Sequence, residues 1–253
     1  MNIIIPQNIY SALFAFSLPD NLKENIIIKE SSLIIKELEK NKDNVGLIPS
    51  LDLLLHPEIF VSETFAVSFD GLLSNSYLYF MPEQNGLKKI LLRGDLSSND
   101  LILSKILFPE QYGIEPEFAF DTQPIDFENN NYLIVGIEND TLPIVNNGVS
   151  FADHIAELID FPYVNFVLAS YNEQNLKQIN EKIKITNEKI TNHLPNYLAK
   201  LQLNSKLNDF VLENLNSLYY DFTENEKIAL NELLKLPYYH AITKDLVEVK
   251  FVK

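Results

Sequence analysis

The chain reads as an α/β protein with a parallel or mixed sheet covered on both faces, followed by a helical C-terminal segment. Three observations carry this reading. Short apolar runs alternate with amphipathic stretches through residues 1–170. A strand–polar turn–helix unit occupies Leu91–Phe118. From Tyr171 onward the apolar residues recur at helical spacing.

Taken in order, Ile3–Ile5 predicts a strand ending at Pro6-Gln7-Asn8, and Ile9–Phe16 a buried helix. Asn25–Lys29 predicts a second strand, and Leu33, Ile34 and Leu38 mark the helix after Ser31-Ser32. Asn44–Ser50 is a third strand stopped by Pro49, with Ser50 placed to cap a helix over Leu51–Leu55. Phe65–Phe69 and Tyr77–Phe80 alternate about a polar loop, as two strands of an antiparallel ribbon would. The apolar run Ile90–Leu92 ends at Arg93-Gly94-Asp95. Leu101, Ile102, Ile106 and Leu107 then mark a helix, with Ser98, Asn99 or Asp100 as its cap and Gly113 as its end. Tyr132–Gly136 and Tyr163–Ala169 are further strands, with a helix over Asp153–Ile159 between them. Beyond them, Ile179, Ile183, Ile190, Leu194 and Leu198 describe one long helix, interrupted or kinked near Pro195. Leu207–Leu218 gives a second, and Thr223-Glu-Asn-Glu226 a capping box for a third, Glu224–Leu236. Asp245–Val252 closes the chain as a strand.

Composition limits the functional classes. The chain has no cysteine, so disulfides and thiolate metal sites are excluded. Its four histidines, at 56, 154, 193 and 240, lack metal-ligand spacing. The net charge is −15, and it is unevenly placed: residues 1–170 carry 9 basic against 24 acidic side chains, while residues 171–253 carry 11 of each. That field disfavours nucleic acid and anionic membranes, and an anionic ligand would need local donors. No apolar run approaches the ~18 residues of a membrane span, and Met1–Pro6 reads as a strand and not as a signal peptide, so a cytoplasmic location is expected. Arg93, the sole arginine, stands at the start of the Ser97-Ser98-Asn99-Asp100 turn. It is either an ion-pair partner or a clamp for a carboxylate. The turn itself is either a capped helix or an anion site at a helix N-terminus.

Four stretches give the chain a likeness to a known family. Ile5-Pro-Gln-Asn8 precedes an apolar helix, and Asn44-Val-Gly-Leu-Ile-Pro49-Ser50 follows. Val67-Ser-Phe-Asp-Gly71 leads to Ser76-Tyr-Leu-Tyr-Phe80, and Lys105–Phe118 reads Lys-Ile-Leu-Phe-Pro-Glu-Gln-Tyr-Gly-Ile-Glu-Pro-Glu-Phe. With Phe161-Pro-Tyr-Val164 and Leu218–Leu234, these stretches resemble, in order and spacing, the chorismate dehydratase family of menaquinone biosynthesis by the futalosine route. The resemblance implies a two-lobed fold like type II periplasmic binding proteins, with mixed sheets. Residues 1–68 plus 170–253 would form one lobe, residues 69–169 the other, and the ligand would lie between them. It implies a cofactor-free hydro-lyase that converts chorismate to 3-[(1-carboxyvinyl)oxy]benzoate, acting on a small dicarboxylate as a monomer or homodimer.

In that reading Asn8 and Ser76 are the catalytic candidates, Asn8 at the substrate's polar edge and Ser76 near the eliminating centre. Arg93, Ser97, Ser98, Asn99 and Asp70 are the substrate-binding candidates, and no metal or cofactor is expected. The family's Ser-Arg-Thr-Ser turn is Ser97-Ser98-Asn99-Asp100 here, which puts a carboxylate beside the free N–H groups. That change motivates a second expectation, a non-catalytic small-molecule binder on the same scaffold. A third is the pathway's sibling, 1,4-dihydroxy-6-naphthoate synthase.

Overall fold

A computed structural model describes residues 1–84, 86–142, 148–183 and 186–253. Its first sheet has seven strands: β1 (Ile3–Pro6), β2 (Ile26–Lys29), β3 (Val45–Pro49), β4 (Phe60–Phe69), β10 (Tyr163–Ser170), β11 (Leu218–Asp221) and β12 (Lys250–Val252). Their order is β11-β4-β10-β3-β1-β2, with β12 added parallel to β4. The second sheet holds β5 (Ser76–Tyr79), β6 (Lys89–Gly94), β7 (Glu117–Phe120), β8 (Tyr132–Val135) and β9 (Val149–Ser150), in the order β7-β6-β8-β5-β9. Both sheets mix parallel and antiparallel pairs. The chain passes from the first sheet to the second at 70–75 and returns at 160–162.

The helices follow the apolar spacing. α1 (Ile9–Ser17) buries Leu13 and Phe14 against the first sheet, where Phe14 meets Phe65 at 4.3 Å and Tyr10 meets Phe69 edge-on at 4.7 Å between ring centroids. Tyr220 Oη donates to the Tyr10 carbonyl at 2.8 Å, which fixes the start of α1 over β11. After the single turn α2 (Asp20–Lys23), α3 (Ser31–Lys40) covers β1 and β3 through Ile34 and Leu38. In the second lobe α4 (Ser98–Tyr112) and α5 (Phe151–Ile159) pack on each other. The C-terminal segment supplies α6 (Glu173–Ile183), α7 (Thr186–Leu201), α8 (Ser205–Glu213) and α9 (Glu224–Tyr239). α9 contacts both β10 and α4, so it spans the two lobes. Its expected capping box is present: the Glu226 carboxylate accepts from the Thr223 N–H at 2.9 Å and from the Thr223 hydroxyl.

Several expectations are corrected. Phe65–Phe69 and Tyr77–Phe80 do not pair with each other, because their intervening loop carries the chain from one sheet to the other. Alternation reports that a strand has two unlike faces and says nothing about its neighbour. Tyr163–Ser170, expected within 69–169, pairs with β3 and β4, so it belongs to the first sheet. Leu51–Leu55 is a 3-10 turn over Ser50–Leu54, too short to close a full α-helix. Pro195 lies inside α7 and does not end it. The second tail helix stops at Glu213, and Leu218 opens β11. Only Lys250–Val252 of the expected terminal strand forms.

Gly94 is the tightest backbone position in the second sheet. Its φ is +84°, and a Cβ there would lie 2.0 Å from the Val135 carbonyl oxygen. No rotamer relieves a clash with backbone, so Gly94→Ala should destabilise the protein by about 2 kcal/mol or more, from the clash and the positive φ together. Equilibrium denaturation of the variant against the parent measures it. An unchanged midpoint would show that β6 and β8 separate at no cost.

Candidate functional site

The two lobes meet at the turns beyond their strand ends, and several polar groups cross between them, among them the Asn204 amide, which donates to the Asp140 carbonyl at 2.8 Å. From the second lobe, Asp95 reaches the N-terminus of α3 in the first: its carboxylate accepts from the Ser31 N–H at 2.8 and 3.1 Å and from the Ser31 hydroxyl at 2.7 Å. These donors are unsatisfied within the helix itself, and the helix end favours negative charge. Asn99, on the first turn of α4, accepts from the Leu51 N–H at 2.8 Å and donates to the Asn165 carbonyl at 2.7 Å. Tyr10 Oη donates to the Ser74 carbonyl at 3.0 Å. The lobes are therefore held closed by the chain's own groups.

Asp100 organises the turn before α4. Its Oδ2 accepts from the Ser97 N–H at 2.9 Å and the Ser97 hydroxyl at 2.6 Å, and its Oδ1 accepts from the Ser76 hydroxyl at 2.6 Å. This is a capping box with Ser97 as the cap, one residue earlier than the sequence suggests, extended by a strand serine. The carboxylate is 2% exposed. Burial pushes its pKa up, and the two serines pull it back. The place where an anionic ligand would meet the helix N-terminus is filled by Asp100.

The candidate residues thus separate. Ser76, Ser97 and Asn99 come together around Asp100 and the lobe interface, with their polar atoms engaged. Ser98 sits beside them, its hydroxyl buried without a partner among the described residues. Arg93 is drawn away: its guanidinium pairs with Asp121 at 2.8 Å and with Glu138 at 2.9 Å. Of the two readings open for this residue, the ion pair is the one formed. Asp70 lies exposed at the crossing between the sheets, its N–H bonded to the Ser217 carbonyl at 2.9 Å.

Asn8 differs from all of these. As the N-cap of α1 it accepts from the Ser11 N–H at 2.8 Å through Oδ1, which fixes the orientation of its amide. Nδ2 is then left buried with no partner among the described residues, in a side chain only 7% exposed. It borders a small, partly open cavity of about 20 Å³ between the lobes. From the first lobe Asn8 and Tyr10 line this cavity, with Leu207 of the tail; from the second come Asn75, Tyr77, Gly136 and Asp140. About one water fits in such a space, which needs ~10–15 Å³. Asn75, 5% exposed, also has an orphaned Oδ1. Burial raises the Asp140 pKa from 3.8 to about 6.

Outside this cavity lies a groove of about 470 Å³, lined by Gln7, Glu30 and Ser32 on one lobe and by Asp95, Phe120, Ile137 and Glu138 on the other. Gly136, at φ +74°, separates the two spaces. A Cβ there would come within 3.4 Å of Asp95 Cβ and 3.8 Å of the Gln7 carbonyl oxygen. Asn75, Asp95 and Asp140 were missed as site residues because they sit in polar turns that look like ordinary loops. Only the pairing of the lobes brings them to the cleft.

Among the described residues, no group of side chains is placed to hold a metal ion, and no helix is long and apolar enough to cross a membrane.

Two outcomes follow from this geometry. Replacing Asp95 with alanine removes three bonds across the cleft and should cost about 1–3 kcal/mol, with faster hydrogen exchange at the Ser31 amide. Protection equal to the parent would mean that closure does not depend on Asp95. For Asp140, the folded state binds the proton more tightly than the unfolded chain. Its contribution to stability is therefore present below pH 3.8 and is lost as pH rises to about 6. The parent should lose stability relative to Asp140→Asn across that window, by an amount on the order of 1–2 kcal/mol after allowing for partial exposure. A pH-independent difference between the two would contradict the assignment.

No protein-family model matches the chain, and no curated protein matches it. Solved structures do. The periplasmic aliphatic sulphonate binding protein SsuA from Escherichia coli superposes with a TM-score of 0.67 at 11% identity, covering 99% of this chain and 95% of that one. SsuA from Xanthomonas axonopodis, bound to MOPS, gives 0.66 at 11% identity, with 97% and 96% coverage. Protein AF1704 from Archaeoglobus fulgidus gives 0.62 at 14% identity, with 95% and 98% coverage. Identities this low establish the architecture alone. The chain has the two-lobed type II periplasmic-binding-protein-like fold.

Proposed function

We propose that this chain is a small-molecule-binding protein that closes its two lobes over a ligand held at Asn8. The observation that carries the reading is the orphaned, buried Asn8 Nδ2 at a cavity lined from both lobes. A buried amide donor without a partner costs free energy that a ligand acceptor recovers. The neighbours' sulphonate and MOPS ligands support small-molecule binding on this scaffold.

The second reading is the chorismate dehydratase one, with a dicarboxylate substrate and a cytoplasmic location. It is supported by Asn8, whose buried Nδ2 borders the cavity with no partner among the described residues. Against it stand the groups it needs: the Ser76 and Ser97 hydroxyls are spent on Asp100, and Arg93 is spent on Asp121 and Glu138. A general acid or base has to reach the proton that it moves. Among the described residues, the Asp100 carboxylate hydrogen-bonds only to serines of its own lobe.

Two measurements separate the readings. Purified protein incubated with chorismate should leave it unchanged by chromatography; accumulation of 3-[(1-carboxyvinyl)oxy]benzoate would establish the second reading. Small metabolites that raise the Tm should do so about tenfold less effectively with Asn8→Ser, which keeps the α1 cap and loses the amide donor. Equal binding by that variant would remove Asn8 from the site.

A further inference from the structure

The polar groups left open in the cleft define the ligand they suit, given the reading of Asn8 as the binding position. Most of the cavity wall is already engaged. Tyr10 Oη donates to the Ser74 carbonyl, Tyr77 Oη donates to the Leu72 carbonyl and accepts from the Ser74 N–H, and Asn139 is bonded through both ends of its amide. Three side-chain functions remain. Asn8 Nδ2 can only donate, because its oxygen is held by Ser11. The Asp140 carboxylate accepts, and among the described residues no side chain donates to it. The Asn75 Oδ1 has no partner among the described residues, and no bond to Nδ2 there fixes the amide, so it can present either end.

The charges around the cleft are of one sign. Asp140 lines the inner cavity, and Glu30, Asp95 and Glu138 line the groove outside it. No lysine, arginine or histidine is among the described residues lining either space. Arg93, the nearest candidate, is held by Asp121 and Glu138. A ligand carboxylate would present oxygen lone pairs to Asp140 with no cation to offset them. A simple ammonium would satisfy Asp140 and leave Asn8 Nδ2 without an acceptor.

We propose that the inner cavity takes an uncharged carboxamide-type group, a carboxamide or a urea, and discriminates against a carboxylate. One such group meets all three open functions. Its carbonyl accepts from Asn8 Nδ2 at the positive end of α1, one N–H donates to Asp140, and the second N–H meets the Asn75 amide. The cavity holds about one water when the lobes are closed, so the group enters with the lobes apart, past Gly136 from the outer groove. The apolar faces of Phe120 and Ile137 in that groove suit the rest of such a ligand.

The test uses the full chain, labelled with 15N, and three probes of one skeleton: acetamide, acetate and acetamidinium. Each is titrated while the Asn8 side-chain amide signal is followed. Acetamide should move that signal with a dissociation constant about tenfold or more below that of either ion, because a site built for a donor and an acceptor rejects analogues that lack one. Asp140→Asn should shrink the margin over acetate, since the new amide can donate to a carboxylate. Acetate or acetamidinium binding as tightly as acetamide at Asn8 would overturn the ligand class and leave the cleft as the binding site. No response of Asn8 to any of the three would overturn both the class and the binding reading.

Discussion

Closure of this molecule rests on a carboxylate placed where a ligand could have been. Asp95 leaves the end of β6, crosses to the other lobe and takes both donors of Ser31 at the start of α3. A helix N-terminus offers unsatisfied N–H groups and a favourable field to any anion. Here that anion is covalently part of the opposite lobe. Asn99 adds a second fastening, from α4 to the Leu51 N–H. The size of the inner cavity, the burial of Asn8 and the desolvation of Asp140 all follow from how closely these contacts bring the lobes.

The same device recurs within the second lobe. Asp100 occupies the N-terminus of α4 and draws in the Ser76 hydroxyl from β5. The N-termini of α3 and α4 are thus both occupied by aspartates of the chain. Together with the pairing of Arg93, this leaves an acidic cleft in which the buried Asn8 amide is the donor without a partner among the described residues. The balance differs from that expected for a dicarboxylate site, although the architecture is shared with proteins that bind anions such as sulphonates. On one scaffold, the sign of a few side chains at helix termini decides what the cleft accepts.

Much of the fold can be traced to local pattern. The strands at Ile3, Val45, Tyr132 and Tyr163 announce themselves as short apolar runs, and their burial on both faces matches that composition. The Thr223–Glu226 box is legible because both partners lie within one turn. Partnership between strands is not local. The stretch from Phe65 to Phe80 has the alternation of a hairpin, yet its two strands belong to different sheets, because the loop between them binds Ser217, far along the chain, and its own lobe.

For the site, the sequence by itself determined the chemical inventory: one arginine, no cysteine, an excess of carboxylates before residue 171, and an asparagine in the turn ahead of the first helix. It also determined that a carboxylate would stand beside the free N–H groups ahead of α4. Only the tertiary structure decided how those groups are spent. Arg93 meets Asp121 and Glu138, which lie 28 and 45 residues away, and Asp95 meets Ser31 across 64 residues. Hydrogen bonds act over about 3 Å, so whether a polar side chain is free for a ligand depends on what the fold brings to that distance. That condition left Asn8 open and engaged Arg93, Asp95, Ser76 and Ser97.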